Sequence, residues 1–240
     1  MARVTAALAA GAAVFGFDPS PGTPPSRALH VLTVRRSLPR ADLNQRERFE
    51  DAALRAVDEA GIRVGSRRAR SAPRLQLVTV EYEPPRSRGF AVWYYATMPL
   101  APVDGPGAWS PTGRGLRLEA RDGTAFRLAL ERLRADSRQL SGAVALLGEV
   151  FTGDDLLRLY SALHGGPEGS ERTFRRRIQE LRDNGVLRPV RESEVPALRL
   201  REPRFRSPSG TGGRPPELLR YSGSGGEDEY IAALRARRAG

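Results

Sequence analysis

Chemistry in this chain has to come from carboxylates, arginines and amides, because the side chains that usually carry it are scarce. There is no cysteine, which excludes disulfides, thiolate zinc sites and a thiol nucleophile. His30 and His164 are the only two histidines, too few for a histidine metal cluster. One segment that concentrates the remaining chemistry runs from Leu38 to Ile62. It ends in the acidic pair Asp58-Glu59 and carries Arg40, Arg46 and Arg55 upstream. Carboxylates gathered on one helix can hold Mg²⁺, which binds a pyrophosphate and activates water. An arginine among them repels the ion and cannot coordinate it. Asp51, Arg55 and Glu59 also stand at i, i+4 spacing, so they read equally as a surface ion-pair ladder. That structural role is the one expected of Arg55.

The second segment is a helix from about Ser170 to Arg182, stopped by Asn184-Gly185. Phe174, Ile178 and Leu181 define its buried stripe. The opposite face carries Arg172, Arg176 and Gln179, flanked by Thr173 and Arg175, while Arg177 lies nearer the buried edge. Arginine can fork to guanine, glutamine to adenine, and both reach phosphates, as a DNA-reading helix requires. A solvated basic helix is the plain alternative. Downstream, Arg188, Arg191, Arg204, Arg206 and Arg214 are candidates for phosphate contact.

The elements that position these groups can be read along the chain. Val4 to Phe17 and Leu29 to Arg36 read as strands around the turn Asp18-Pro19-Ser20-Pro21-Gly22. The Ala-rich start also resembles a secretory apolar region, but it runs straight into a turn and a second strand. Glu47 to Ala60 is an amphipathic helix with Gly61 at its left-handed cap, and Leu75 to Tyr82 and Phe90 to Met98 are further strands. After a Gly/Pro-rich junction near Asp104 to Arg114, helices dominate. One spans Leu118 to Arg134, an apolar stretch runs from Ala143 to Leu147, and another helix opens on a Thr152/Asp155 capping box and ends at Gly165-Gly166. Two β-like pieces, Val186 to Arg191 and Leu218 to Tyr221, follow as a ribbon separated by a Pro/Gly/Arg-rich loop. The expected organisation is an α/β domain over 1–113, a winged helix-turn-helix over 114–222 and a flexible tail over 223–240. A net charge of +11, with all 39 basic residues arginine, favours a polyanionic partner, nucleic acid first and anionic membrane second. No run approaches the ~18 apolar residues of a membrane span.

The segment from Leu38-Pro39 to Ile62 resembles, in outline, the signature G-x5-E-x7-R-E-U-x-E-E-x-G-U of Nudix hydrolases, where U is aliphatic. Asp58-Glu59-Ala60-Gly61-Ile62 matches E-E-x-G-U, and Glu50-Asp51-Ala52-Ala53 resembles the helix start. The departures fall on the chemistry: Arg40 replaces the glycine, Arg46 the upstream glutamate, Leu54 the arginine and Arg55 the next glutamate. Only Asp58 and Glu59 stay acidic. No metal and no cofactor are expected, and metal-dependent hydrolysis should be absent or very weak.

The order of the pieces resembles the Nudix-related regulators of NAD metabolism, the NrtR family, from about Val14 to Tyr221. Val14-Phe15-Gly16-Phe17-Asp18 and Val31 to Arg36 resemble its opening strands, and Leu75-Gln76-Leu77 with Thr79 a later one. Leu118 to Arg134 is similar to its interdomain helix, with Arg121-Asp122 where the family has an Asp-His pair. Phe151-Thr152, Asp155-Leu156, Leu159-Tyr160 and Phe174-Arg175-Arg176 resemble its helix-turn-helix, and Gly213 to Tyr221 its closing strand. The resemblance implies a Nudix-like α/β/α sandwich followed by a winged helix. It also implies a cytoplasmic, dimeric repressor that senses ADP-ribose or a related nucleotide and releases a palindromic operator. Arg35, Arg36, Gln76 and Arg86 would touch that ligand. A different ligand or none, a hydrolase of nucleoside diphosphate derivatives, and a Nudix-like dimerisation platform stay open as alternatives.

Overall fold

β1 (Leu8–Phe17) carries no charge and is buried along its length except at Leu8, as suits the centre of a sheet. One edge pairs in parallel with β5 (Gly89–Thr97), from Leu8 opposite Phe90 to Phe15 opposite Thr97. The other edge is shared. β3 (Arg40–Asp42) runs antiparallel beside Ala9–Gly11, and β2 (Leu29–Val34) beside Phe15–Phe17. β4 (Gln76–Glu83) closes one side of the sheet on β5 and β6 (Gly107–Pro111) the other side on β2, in the order β4-β5-β1-β2-β6. Gly11 is required at the middle of β1, because a Cβ there would lie 2.3 Å from the Trp93 ring.

The computed structural model describes residues 7–63, 74–83, 89–166, 170–206 and 215–222. Arg86, Arg214 and the tail from 223 lie outside the described residues. Contacts divide the chain into two units: the described residues of Met1–Phe17 with Leu29–Ala135, and those of Asp18–Ala28 with Asp136–Gly240. The first unit takes in α3 (Ala120–Asp136) up to Ala135, and β6 occupies the Gly/Pro-rich stretch near 104–114. Five residues of strand among glycines and prolines give no periodicity to read, so β6 was not expected there.

In the first unit, α2 (Phe49–Glu59) lies on one face of the sheet. Its Ala52, Ala53 and Val57 meet Ala10, Ala12 and Val14 of β1 and Val92 and Tyr94 of β5. Strand side chains alternate between faces, and Phe15 on the other face meets Phe126 of α3, with ring centroids 6.1 Å apart. The unit is a mixed sheet layered between α2 and α3. α2 ends as the sequence implies: Gly61 has φ +98°, its N–H bonds the Asp58 carbonyl, and the Ile62 N–H bonds the Val57 carbonyl. These two hydrogen bonds satisfy the Asp58 and Val57 carbonyls at the end of the helix. A Cβ on Gly61 would also lie 2.4 Å from the Gly105 nitrogen, so glycine is needed twice over.

The second unit holds α4 (Leu140–Leu147), α5 (Gly153–His164) and α6 (Glu171–Asp183). A three-stranded antiparallel sheet follows, in the order β7-β9-β8, made of Phe151–Thr152, Leu218–Tyr221 and Leu187–Pro189. The ribbon therefore has a third strand, β7, whose two residues are too few to show a pattern. The expected loop between β8 and β9 contains α7 (Val195–Arg201) and a 3₁₀ turn at Pro203–Phe205. α1 (Pro25–Ala28), from the connection between β1 and β2, also belongs to this unit. There Arg158 of α5 donates to the carbonyls of Ser20, Pro21 and Thr23.

The capping box at Thr152 forms as expected: Asp155 N–H donates to Thr152 Oγ1 at 3.0 Å, and Thr152 N–H to Asp155 Oδ2 at 2.9 Å. Asp155 is buried, which pushes its carboxyl above the usual carboxylate range, while Arg204 pulls it back down. Arg204 Nη1 stands 2.7 Å from Asp155 Oδ2, its other nitrogens bond Glu202, and its guanidinium lies 4.3 Å over the Phe205 ring. Arg204, expected as a phosphate contact, is thus engaged by two carboxylates of its own unit. Arg206 is exposed and donates to the Arg199 and Leu200 carbonyls, which leave its charge uncompensated. Arg204→Ala should cost about 3 kcal/mol, the usual penalty for stripping a buried carboxylate of its cation. Urea unfolding measures it, and a loss below about 1 kcal/mol would contradict this reading of the pair.

Candidate functional site

Two places concentrate function-bearing residues, one in each unit. In the first unit the box segment folds as a hairpin, a short strand and α2. Val34 and Ser37 exchange backbone hydrogen bonds across a tight turn, which puts Arg35 at φ +61° and leaves Arg35 and Arg36 exposed. The turn is fixed to α3 at two points. Glu119 N–H donates to the Arg36 carbonyl at 2.9 Å, and Leu38 N–H to Asp122 Oδ2 at 2.8 Å. Asp122 is 1% exposed, and burial pushes its carboxyl up while the Leu38 N–H and Arg121 draw it down. Gln76 starts β4, three strands across the sheet from β2, whose end leads into the Arg35–Arg36 turn.

Around α2 the charges are arranged about Arg55. Its Nε donates to Glu47 Oε1 at 3.0 Å and its Nη2 to Glu47 Oε2 at 3.0 Å, a forked pair. Its Nη1 donates to Glu59 Oε1 at 3.1 Å, and Nη2 also reaches the Asp42 carbonyl at 2.7 Å. The guanidinium therefore ties β3 to the turn ahead of α2 and to the last residue of that helix. Glu47 was missed because it stands one residue beyond the box glutamate, whose place Arg46 takes. Arg46 is exposed at φ +63°, in the turn ahead of α2. Asn44 N–H donates to Glu47 Oε2, so that turn also aims the Glu47 carboxylate. Arg40 is half-buried on β3 opposite Gly11, Leu54 is half-buried, and Asp58 is exposed with Glu59 at the end of α2.

This arrangement does not fit the divalent ion of a Nudix hydrolase. Two of the three carboxylates that would surround it are bonded to a fixed cation that has no lone pair to offer. Arg55 holds the Glu47 carboxyl below its ordinary 4.5, and the pair raises the Arg55 guanidinium in turn. A depressed carboxyl contributes stability above its unfolded pKa and loses it as pH falls through the folded value. Arg55→Ala should therefore be less stable than the wild type at neutral pH, and the gap should close in acid. Thermal melts across pH measure it. A gap that widens in acid would contradict the pairing.

In the second unit α6 starts at Ser170, whose hydroxyl accepts from Thr173 N–H at 3.2 Å. Phe174 is the buried anchor and meets Tyr160 of α5 edge-on, 5.3 Å between centroids. Arg172, Arg175, Arg176 and Gln179 are exposed, and Thr173 and Arg177 are half-buried. They differ in what holds them. Arg172 makes no hydrogen bond or ion pair to a described residue, and Arg176, 73% exposed, has only Glu180 at 3.5 Å. Arg175 is bonded to Glu171 at 2.7 Å, with Asp154 at 3.6 Å, and Gln179 bridges Asp183 and Arg182. Arg188 is exposed on β8, its Nε 3.3 Å from the Gly185 carbonyl, and Arg191 is exposed just beyond that strand. No helix among the described residues is long and apolar enough to cross a membrane.

No family model and no curated protein matches the chain. Solved structures do. The NrtR of Shewanella oneidensis, in a complex with a 27mer DNA, superposes with a TM-score of 0.64 at 19% identity, covering 90% of this chain and 93% of that one. A second structure of the same protein gives 0.62 at 20% identity, over 90% and 94%. A MutT/Nudix family protein from Enterococcus faecalis gives 0.55 at 14% identity, over 91% and 87%. Over about nine-tenths of its length, this chain has the fold of the NrtR regulator.

Proposed function

We propose that the chain is a DNA-binding transcription regulator. Its second unit acts as a winged helix, and its Nudix-like first unit senses a nucleotide such as ADP-ribose without hydrolysing it. The observation that carries the DNA reading is α6. It follows a capped helix, anchors itself through Phe174, and offers Arg172 and Arg176 to solvent with little else to bind. The fold shared with a protein crystallised on DNA supports the same reading. Arg172, Arg176 and, on release from their intramolecular partners, Arg175 and Gln179 read bases. Thr173, Arg188 and Arg191 contact the backbone, with Arg214 as a further candidate.

For the first unit, a cationic turn at Arg35 and Arg36, with Gln76 and Arg86 as further contacts, suits an anionic nucleotide held by arginine rather than through a metal. Arg55, bonded to Glu47 and Glu59, supports the absence of hydrolysis. Fluorescence anisotropy with DNA tests the first half: affinity should fall steeply with salt, as phosphate contacts release counterions. A flat salt response would contradict it. Titration with ADP-ribose tests the second half: saturable binding without AMP release in Mg²⁺ is expected. Absence of binding would favour the dimerisation platform, and AMP release the hydrolase.

A further inference from the structure

The connection from β8 to β9 holds a helix that the reading face of α6 does not account for. α7 turns Val195 and Leu198 inward, against Val150, Val190, Phe205 and Leu218. Leu200 comes two residues after Leu198, ~200° round the helix, so it points the opposite way. It is 74% exposed, the most exposed large apolar side chain among the described residues. Cations flank it. The Arg199 and Arg201 side chains make no hydrogen bond or ion pair to a described residue, and Arg199 Nε is buried without a partner. Arg206 reaches back to the Arg199 and Leu200 carbonyls, which would otherwise repel an anion at the end of the helix. Glu202 does not offset these charges, because Arg204 takes it.

The same segment is fastened beside α6. Arg204, just past α7, bonds Asp155 at the start of α5, while Arg175 of α6 reaches the adjacent Asp154 at 3.6 Å. Consecutive residues of one helix turn therefore hold the end of α7 and the reading helix. We infer that α7 enters the minor groove next to the site read by α6, where Leu200 wedges between two base pairs and kinks the duplex. Minor-groove proteins pair such an apolar wedge with arginine, and the base step it opens kinks by ~20–90° toward the major groove. An anionic membrane suits the same charges less well. One leucine on so short a helix lacks the apolar face that holds a helix in a lipid interface. The inference rests on the DNA reading of α6 and adds a deformation that α6 alone does not supply.

Energy transfer between dyes at the two ends of a duplex, taken from the DNA that the chain enriches out of a random pool, tests it. The wild type should bring the ends together. Leu200→Ser should leave them at their free separation while the DNA stays bound, and Leu200→Phe, another wedge, should restore the shortening. Arg201→Ala should reduce the salt slope of binding by about one, the loss of one phosphate contact. Because Leu200 and Arg201 stand in water, circular dichroism should show all three variants folded. Tight binding without shortening, or shortening that survives Leu200→Ser, would overturn the inference and leave the DNA reading of α6 intact. A pool without enrichment would sink both. Binding to vesicles of phosphatidylserine and phosphatidylcholine that disappears with Leu200→Ser would make α7 a membrane contact and overturn the inference.

Discussion

Replacing Arg172 and Arg176 together with alanine is expected to weaken operator binding at least about 30-fold while leaving the protein folded, since each arginine forked to a base is worth ~1–3 kcal/mol. Both side chains lie on the exposed side of α6, away from Phe174. The one ion pair lost, Arg176 with Glu180 at 3.5 Å, is a surface pair of the weak kind. Arg175→Ala should cost less, because its charge is already shared with Glu171 and Asp154. Anisotropy at fixed salt, with circular dichroism as the fold control, measures the ranking. A double variant that keeps sequence-specific binding would place the reading face elsewhere.

Arg55→Glu is expected to convert a cation-filled cluster into a cation-seeking one. The new carboxylate would join Glu47 and Glu59 near the Asp42 carbonyl, where the guanidinium now bonds all three groups. Without metal the variant should melt well below the wild type, since three carboxylates would repel where a forked ion pair stood. Mn²⁺ or Mg²⁺ should restore stability, by about 2.7 kcal/mol once the ion exceeds its Kd a hundredfold. The wild type should show no such response. Melting curves with and without the ion decide it, and equal responses in both proteins would remove Arg55 from the centre of the account.

The reach of sequence reading differed from residue to residue for physical reasons. Local signals were legible: the capping box at Thr152 and Asp155, the left-handed stop at Gly61, and the Phe174 stripe are all set by neighbours within a few positions. Short strands were not, because β3, β6 and β7 have only three, five and two residues and take their structure from partners far along the chain. The same distance hid the role of Arg204, whose carboxylate partner Asp155 lies 49 residues upstream. At the box, the expected structural role of Arg55 is seen, with Glu59 as one partner. Its other partner, Glu47, sits in a turn whose left-handed residue shifts the acid by one position, which no helical periodicity reveals. Asp122 was visible only as a family position, and its burial under the Leu38 N–H depends on α3 meeting a hairpin eighty-four residues away in sequence.

Selection of DNA from a random pool by the chain separates a sequence-reading regulator from a solvated basic helix. A defined inverted repeat should be enriched, with half-sites about one helical turn apart, about 10 base pairs, and its retention should fall steeply with salt. Recovery of an unenriched pool, or of DNA bound equally well by the Arg172→Ala, Arg176→Ala variant, would contradict it.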